Sequence, residues 1–173
     1  GYNDLFREGK DRVRPFSVIG IMTNGSAALL SIKSNFKGPS LTYSTACSSS
    51  AHAIGEAVRQ IRHGYCDVAL AGGAETPLIY GSIKAWEALQ TLAAIDETFP
   101  ERSCKPFSIN RSGFVLGEAS AALVLESLES ATQRGAKIYG EIVGYGTTSD
   151  SQHVTKPSVE GQVWAMRNAL DDA

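Results

Sequence analysis

Leu41-Thr42-Tyr43-Ser44-Thr45-Ala46-Cys47-Ser48-Ser49-Ser50 is the stretch on which the fold turns. Its first half alternates apolar, polar and β-branched residues, the pattern of a short strand. Its second half opens a long helix. Ile54, Ala57, Val58 and Ile61 fall at i, i+3, i+4 and i+7, and Gly64 stands where a glycine closes a helix. Cys47 therefore falls on the turn between strand and helix. The first turn of a helix presents N–H groups that carry roughly half a positive charge, which favours an anion, and a thiolate is such an anion. The same N–H groups can donate to an oxyanion. One turn thus offers a nucleophile and half of an oxyanion hole. Taken alone, Cys47 fits equally well as a small buried hydrophobe, because free cysteines are among the most buried side chains.

Two further stretches extend the pattern. Asp67-Val68-Ala69-Leu70-Ala71-Gly72-Gly73-Ala74-Glu75 is a continuous apolar run, the signature of a strand buried on both faces, with glycines that let backbone approach backbone. Arg111-Ser112-Gly113-Phe114-Val115-Leu116-Gly117-Glu118 is a glycine-rich segment that leads into the alternating run Ala119–Glu126. Together with Pro39-Ser40-Leu41 and Thr45-Ala46-Cys47-Ser48-Ser49, these segments resemble, in order and spacing, the β-ketoacyl-[acyl carrier protein] synthases. These are the condensing enzymes of fatty acid and polyketide synthesis, and the likeness is closest to the elongating type.

The resemblance implies a thiolase-like layered αβαβα fold. Residues 1–127 would be the later part of the N-terminal half with the nucleophile elbow, and residues 128–173 the connecting helix and start of the C-terminal half. It implies acyl transfer from acyl carrier protein to Cys47, followed by decarboxylative Claisen condensation with malonyl carrier protein. The N–H of Cys47 would be one oxyanion donor. It implies no cofactor and no metal, the substrates riding on the phosphopantetheine of acyl carrier protein. The partners implied are that carrier protein and a second ketosynthase subunit, as a homodimer or heterodimer. Ile83 maps to the floor of the acyl pocket, Val18 to the wall of the partner subunit's acyl pocket, reached across a dimer interface, and His153 and Thr155 to the pantetheine entrance or its gate. Lys10, Arg12 and Arg14 map to a basic docking patch for the carrier protein, where charge complementarity would speed encounter; as bare residues they read equally as a solvated loop. The Phe16–Leu30 run maps to a dimer contact and otherwise reads as plain core.

Departures from the family pattern are also legible. Lys105-Pro106-Phe107-Ser108 stands where the family has an Arg-Pro-Phe-Asp segment, and Glu87 where it often has a basic residue. The two histidine motifs that complete the family's active site, and the loop that gives the second oxyanion donor, do not occur in this sequence. The expectation is a partial chain that accepts an acyl or alkyl group at Cys47 without completing condensation. A thiolase-type coenzyme A enzyme and a non-catalytic chain-length-factor-like subunit are the alternatives. The Ser-Thr-Ala-Cys-Ser-Ser context disfavours the first, and the presence of the cysteine disfavours the second.

Composition narrows the remaining classes. The 173 residues carry 16 Lys and Arg against 18 Asp and Glu, a formal charge of −2, which argues against nucleic-acid binding by bulk charge. No apolar run reaches membrane-spanning length and no signal-peptide pattern opens the sequence, so no membrane role is expected. Three cysteines without metal-ligand spacing fit a reducing cytoplasm. Cys66 reads as core. His52 and His63 lie on the Cys47 helix and read as structural or surface groups, with His63 about four turns from the cysteine. His153 sits in a polar loop and is not read as the catalytic base. The remaining elements expected are a helix over 76–92, a loop over 96–111, a helix over 128–134 ended by Gly135, a strand over 138–146, a polar loop over 147–159 and a helix over 160–172.

Overall fold

A computed structural model describes residues 2–173. The chain divides into two units. One comprises the residues up to Ala69 together with Glu126–Ala173, and the other comprises Leu70–Leu125.

The first unit holds helices α1 (Tyr2–Phe6), α2 (Ser17–Ile21), α3 (Gly25–Ser34), α4 (Ser49–Arg62), α6 (Leu128–Gln133) and α7 (Val159–Asp171). Helix α4 is the expected long helix. It ends as its sequence dictates: Gly64 takes φ +72°, its N–H bonds Ile61 O at 3.0 Å, and the Tyr65 N–H bonds Gln60 O at 2.9 Å. These two bonds satisfy the last carbonyls of the helix, a closure that a residue with a Cβ adopts only with strain. Arg59 and Arg62 in its last turn complement the helix dipole. Helix α6 closes in the same way at Gly135. It opens on Ser127, whose hydroxyl accepts the Ser130 N–H at 3.2 Å. Helix α7 starts and ends within one residue of expectation, with Ser158 as its N-cap, accepting the Gly161 N–H at 3.2 Å.

The second unit is built on a two-stranded sheet of β1 (Val68–Glu75) and β2 (Ala119–Glu126), with helix α5 (Tyr80–Ala88) between them in sequence. A Cβ on Gly72 would overlap the backbone of Ala121 and Ala122, so the close strand approach expected of the glycine pair is present. The glycine-rich segment lies along residues 91–94. Phe114 exchanges backbone hydrogen bonds with Thr91 and Ala93 at 2.8 Å each, the Ala94 N–H donates to Ser112 Oγ at 3.0 Å, and the Phe114 ring meets Trp86 edge-on.

Several expectations are corrected. Residues 41–45 and 138–146 form no strand. A strand exists by virtue of its ladder partner, and no described residue offers these segments one. Helix α5 is shorter than the expected 76–92. Pro77 lies in a tight turn in which the Ile79 N–H bonds Pro77 O, Ile79 is extended, and Gln90 at φ +56° stops the helix. The largest correction concerns burial. Strand β1 was expected to be buried on both faces, yet Ala71 is its only buried residue. The Phe16–Leu30 run is not core either: Val18, Ile19, Ile21, Met22, Leu29 and Leu30 are all exposed. Cys66 is half-buried.

Candidate active site

Cys47 lies in a single 3₁₀ turn, Ala46–Ser48, directly ahead of α4, and its side chain is exposed. The turn is tight because Ala46 takes φ +53°, a left-handed conformation that costs a residue with a Cβ about 1–2 kcal/mol. The neighbouring serines hold it. Ser48 Oγ donates to Thr45 O at 2.8 Å and to Thr45 Oγ1 at 3.1 Å. Ser49 Oγ donates to Ala46 O at 2.7 Å and accepts the Thr45 N–H at 2.8 Å. Both hydroxyls turn back toward the loop, and Ser48, the N-cap of α4, makes no side-chain bond to the helix amides. The serine run of the opening stretch is thus the brace of the cysteine turn.

Behind the turn, one face of α4 carries Ser48, His52, Gly55, Arg59 and Arg62, spaced so that each lies above the last. This face meets the 143–172 segment. Tyr145 lays its ring on Gly55, where a Cβ would overlap the ring. Its hydroxyl is 2.7 Å from His52 Nδ1, and the two rings stand at 89°. The Arg59 guanidinium sits 4.9 Å over the Tyr145 ring and pairs with Glu56 at 2.7 Å. Burial, helped by the Glu56 charge, raises the pKa of Tyr145 above its ordinary value, so the hydroxyl stays protonated. Tyr43 is raised for the same two reasons, burial first. Arg62 bonds Asp172 at 2.8 Å and Val143 O at 2.6 Å, and Asp172 also accepts the Tyr145 N–H at 2.9 Å. That backbone bond, and then Arg62, hold the Asp172 carboxyl below the usual range. A cleft of about 200 Å³ opens between Ser48, His52, Tyr145, Thr147 and Ala165.

His153 and Thr155 come together in the 147–158 loop. His153 Nδ1 accepts the backbone N–H groups of Thr155 at 3.1 Å and Lys156 at 3.2 Å, with Thr155 Oγ1 at 3.4 Å. In the neutral ring the proton then resides on Nε2, and the lone pair is already engaged. Asp150 ties the loop to α7. It accepts the Ser158 N–H at 2.7 Å and the Gln152 N–H at 3.2 Å, and these bonds lower its pKa.

The other residues singled out in the sequence stand on separate elements. Val18 is on α2, 62% exposed, and Ile83 is on α5, 37% exposed. Lys10, Arg12 and Arg14 share one exposed loop, where Lys10 pairs with Glu8. Glu87 pairs with Lys84. Ser108, a departure from the family pattern, anchors its own loop: its Oγ accepts the Asn110 N–H at 3.2 Å and its carbonyl accepts from Arg111 at 3.0 Å. Among the described residues no group of histidine, cysteine and acidic side chains is arranged to hold a metal, and no helix is long and apolar enough to cross a membrane. Sequence reasoning missed Tyr145 altogether and gave His52 no partner, because the two lie 93 positions apart.

Comparison with known proteins places this geometry. Nodulation protein E of Rhizobium meliloti (strain 1021) is 43% identical over 172 residues, which cover 99% of this chain and 41% of that protein. The 3-oxoacyl-[acyl-carrier-protein] synthase 2 of Staphylococcus aureus is 41% identical over 174 residues, 99% of this chain and 43% of that protein. The chain thus spans less than half the length of these relatives. The crystal structure of a beta-ketoacyl synthase from Burkholderia phymatum STM815 superposes with a TM-score of 0.88 at 35% identity, covering 99% of this chain and 42% of the other. The ketosynthase assembly AntDE:AntF superposes with a TM-score of 0.90 at 30% identity, over 98% and 43%. These likenesses give the chain its architecture, part of the layered α/β thiolase-type fold. The profile described as "Beta-ketoacyl synthase, N-terminal domain" matches residues 1–131, and the chain belongs to that family.

Proposed function

We propose that Cys47 is the acyl-accepting nucleophile of a β-ketoacyl synthase. Its thiolate attacks the thioester carbonyl of an acyl chain carried on acyl carrier protein. The tetrahedral intermediate collapses with release of the pantetheine thiolate, which takes up a proton, and the chain is left on Cys47. In the condensing step malonyl carrier protein loses carbon dioxide, and the resulting carbanion attacks the acyl-enzyme carbonyl and displaces the Cys47 thiolate. The Cys47 N–H is one oxyanion donor, a kind of contact worth about two to three orders of magnitude in rate.

The observation that carries this reading is the exposed cysteine on a left-handed turn held by Thr45, Ser48 and Ser49, immediately before a long helix. Residues 1–127 are read as the later part of the N-terminal half and 128–173 as the start of the C-terminal half. The match of the N-terminal profile to residues 1–131 supports that division. Ile83 floors the acyl pocket, Val18 reaches across a dimer interface to wall that of the partner subunit, and His153 and Thr155 line the pantetheine entrance. Lys10, Arg12 and Arg14 receive the acidic carrier protein, and no dissociable cofactor is needed. One neighbouring structure is an acyl-carrier protein in complex with its ketosynthase, and another is a ketosynthase/chain length factor. By likeness this chain works with a carrier protein, as a homodimer or ketosynthase heterodimer. The free thiols fit a cytoplasmic enzyme of fatty acid or polyketide synthesis.

Incubating the purified full-length protein with an acyl carrier protein thioester and mapping the adduct by mass spectrometry tests the reading. One acyl group on Cys47 is expected, together with loss of acylation and of condensation in Cys47→Ala. Acylation that survives in Cys47→Ala, or none in the parent protein, overturns it.

A further inference from the structure

The nucleophile turn has no bond of its own to the segment behind it. Ser48 and Ser49 bond only back to Thr45 and Ala46, so the direction in which the cysteine points is set by how α4 is held. On the face that carries Ser48, Tyr145 makes two contacts with the first half of α4. Tyr145 rests its ring on Gly55 and places its hydroxyl 2.7 Å from His52 Nδ1. His52 lies one turn beyond Ser48 on that same face. The Arg59 guanidinium also lies over the ring, 4.9 Å from its centre. Farther along, Arg62 and Asp172 hold the other end of the helix.

We propose that His52 and Tyr145 are positioning residues, a hydrogen-bonded pair that fixes the rotation of α4 about its axis and thereby aims the Cys47 sulfur at the acyl carbonyl. The pair touches no reacting atom. The proposal rests on the reading of Cys47 as nucleophile. Its physical basis is leverage. A helix seated on a flat ring at a glycine can slide or roll, and one directional bond near its start removes that freedom. Attack on a carbonyl tolerates little misplacement, and an error of about 1 Å at the reacting atom can cost a hundredfold in rate.

The test uses the full-length protein. Tyr145→Phe removes one oxygen and keeps the ring on Gly55, so the fold is retained. The expected result is a drop of about tenfold in the kcat of Cys47 acylation, with KM for the acyl thioester within twofold of the parent and an unchanged melting temperature. His52→Ala should fall by a similar factor. His52→Gln, which can still bond the hydroxyl, should recover most of the rate. The double variant should be no worse than either single one, because the pair acts as a unit. A Tyr145→Phe rate within twofold of the parent, a change confined to KM, or failure of His52→Gln to recover activity lost in His52→Ala overturns the proposal and leaves Cys47 as nucleophile intact. Acylation of the parent at a site other than Cys47, or no acylation at all, overturns both.

Discussion

At Gly55 two opposing effects meet. Alanine is the better helix former by about 1 kcal/mol, and on an open helix face Gly55→Ala would stabilise. Here the added methyl enters the Tyr145 ring. Overfilling a packed site costs about 1–3 kcal/mol, and displacing the ring disturbs its 2.7 Å bond to His52. The overlap outweighs the propensity. Gly55→Ala is expected to lower stability by about 1 kcal/mol net in denaturant titration of the full-length protein, and Gly55→Ala with Tyr145→Ala should lose much less than the sum of the single changes. A neutral or stabilising Gly55→Ala would show that the ring does not rest there. At the same scale the sequence disclosed the cysteine turn well. The serines that follow Cys47 are short hydroxyl donors, which bond local carbonyls readily, and they do so at Thr45 and Ala46.

At the scale of elements, the joint between the 147–158 loop and α7 is an electrostatic clasp. Asp150 accepts two backbone N–H groups and lies against Gly161 in the first turn of the helix. Its carboxyl is held below the ordinary value of about 4, so the folded loop prefers the ionised form. The sign follows directly. The stabilisation is present in full above about pH 4, the unfolded value, and is lost as the pH falls through the lowered native value. Amide-exchange protection of the Ser158 region should therefore hold from neutrality to about pH 4 and decline below it. In Asp150→Asn protection should be weak throughout, with the acid dependence gone. Protection at pH 7 equal to that of the parent in Asp150→Asn would contradict the clasp. The limits of α4, α6 and α7 were legible in the sequence, because their caps are local, whereas both limits of α5 were not. Gly64, Gly135 and Ser158 each act through residues within a few positions of themselves.

Over the molecule as a whole, the distribution of apolar side chains is the dominant fact. Among the described residues Val58, Ala71 and Ala131 form the buried hydrophobic set, while Phe16, Ile21, Ile32, Phe107, Ile109 and Val154 stand in the open, Phe107 fully so. Burial of an aliphatic or aromatic side chain contributes about 1.5–3 kcal/mol, and within each unit most of that contribution is unrealised. Apolar surface of this extent is ordinarily covered by further chain or by a partner. Prepared by itself, the 173-residue chain is expected to enhance the fluorescence of a hydrophobic dye at neutral pH and to melt without a sharp transition. The full-length protein is expected to do neither. A cooperative melt without dye binding from the isolated chain would show that these side chains need no cover.

The sequence by itself determined helices α4, α6 and α7, their ends and the turn that presents Cys47. These are set by residues a few positions apart, through periodicity, capping hydroxyls and glycines at positive φ. It also carried the family likeness, since the Thr-Ala-Cys-Ser-Ser stretch and the two glycine-bearing segments survive as strings. Only the tertiary structure decided which face of α4 is held and by what. Tyr145, Asp172 and the backbone of Val143 reach His52, Gly55 and Arg62 across 81 to 110 positions, and no local pattern encodes a contact at that separation. Pairing and burial belong to the same class. Residues 41–45 and 138–146 read as strands and β1 reads as a two-faced core strand, but a ladder and a covering layer are properties of neighbours, and the apolar alternation of one segment specifies a need for them without supplying them.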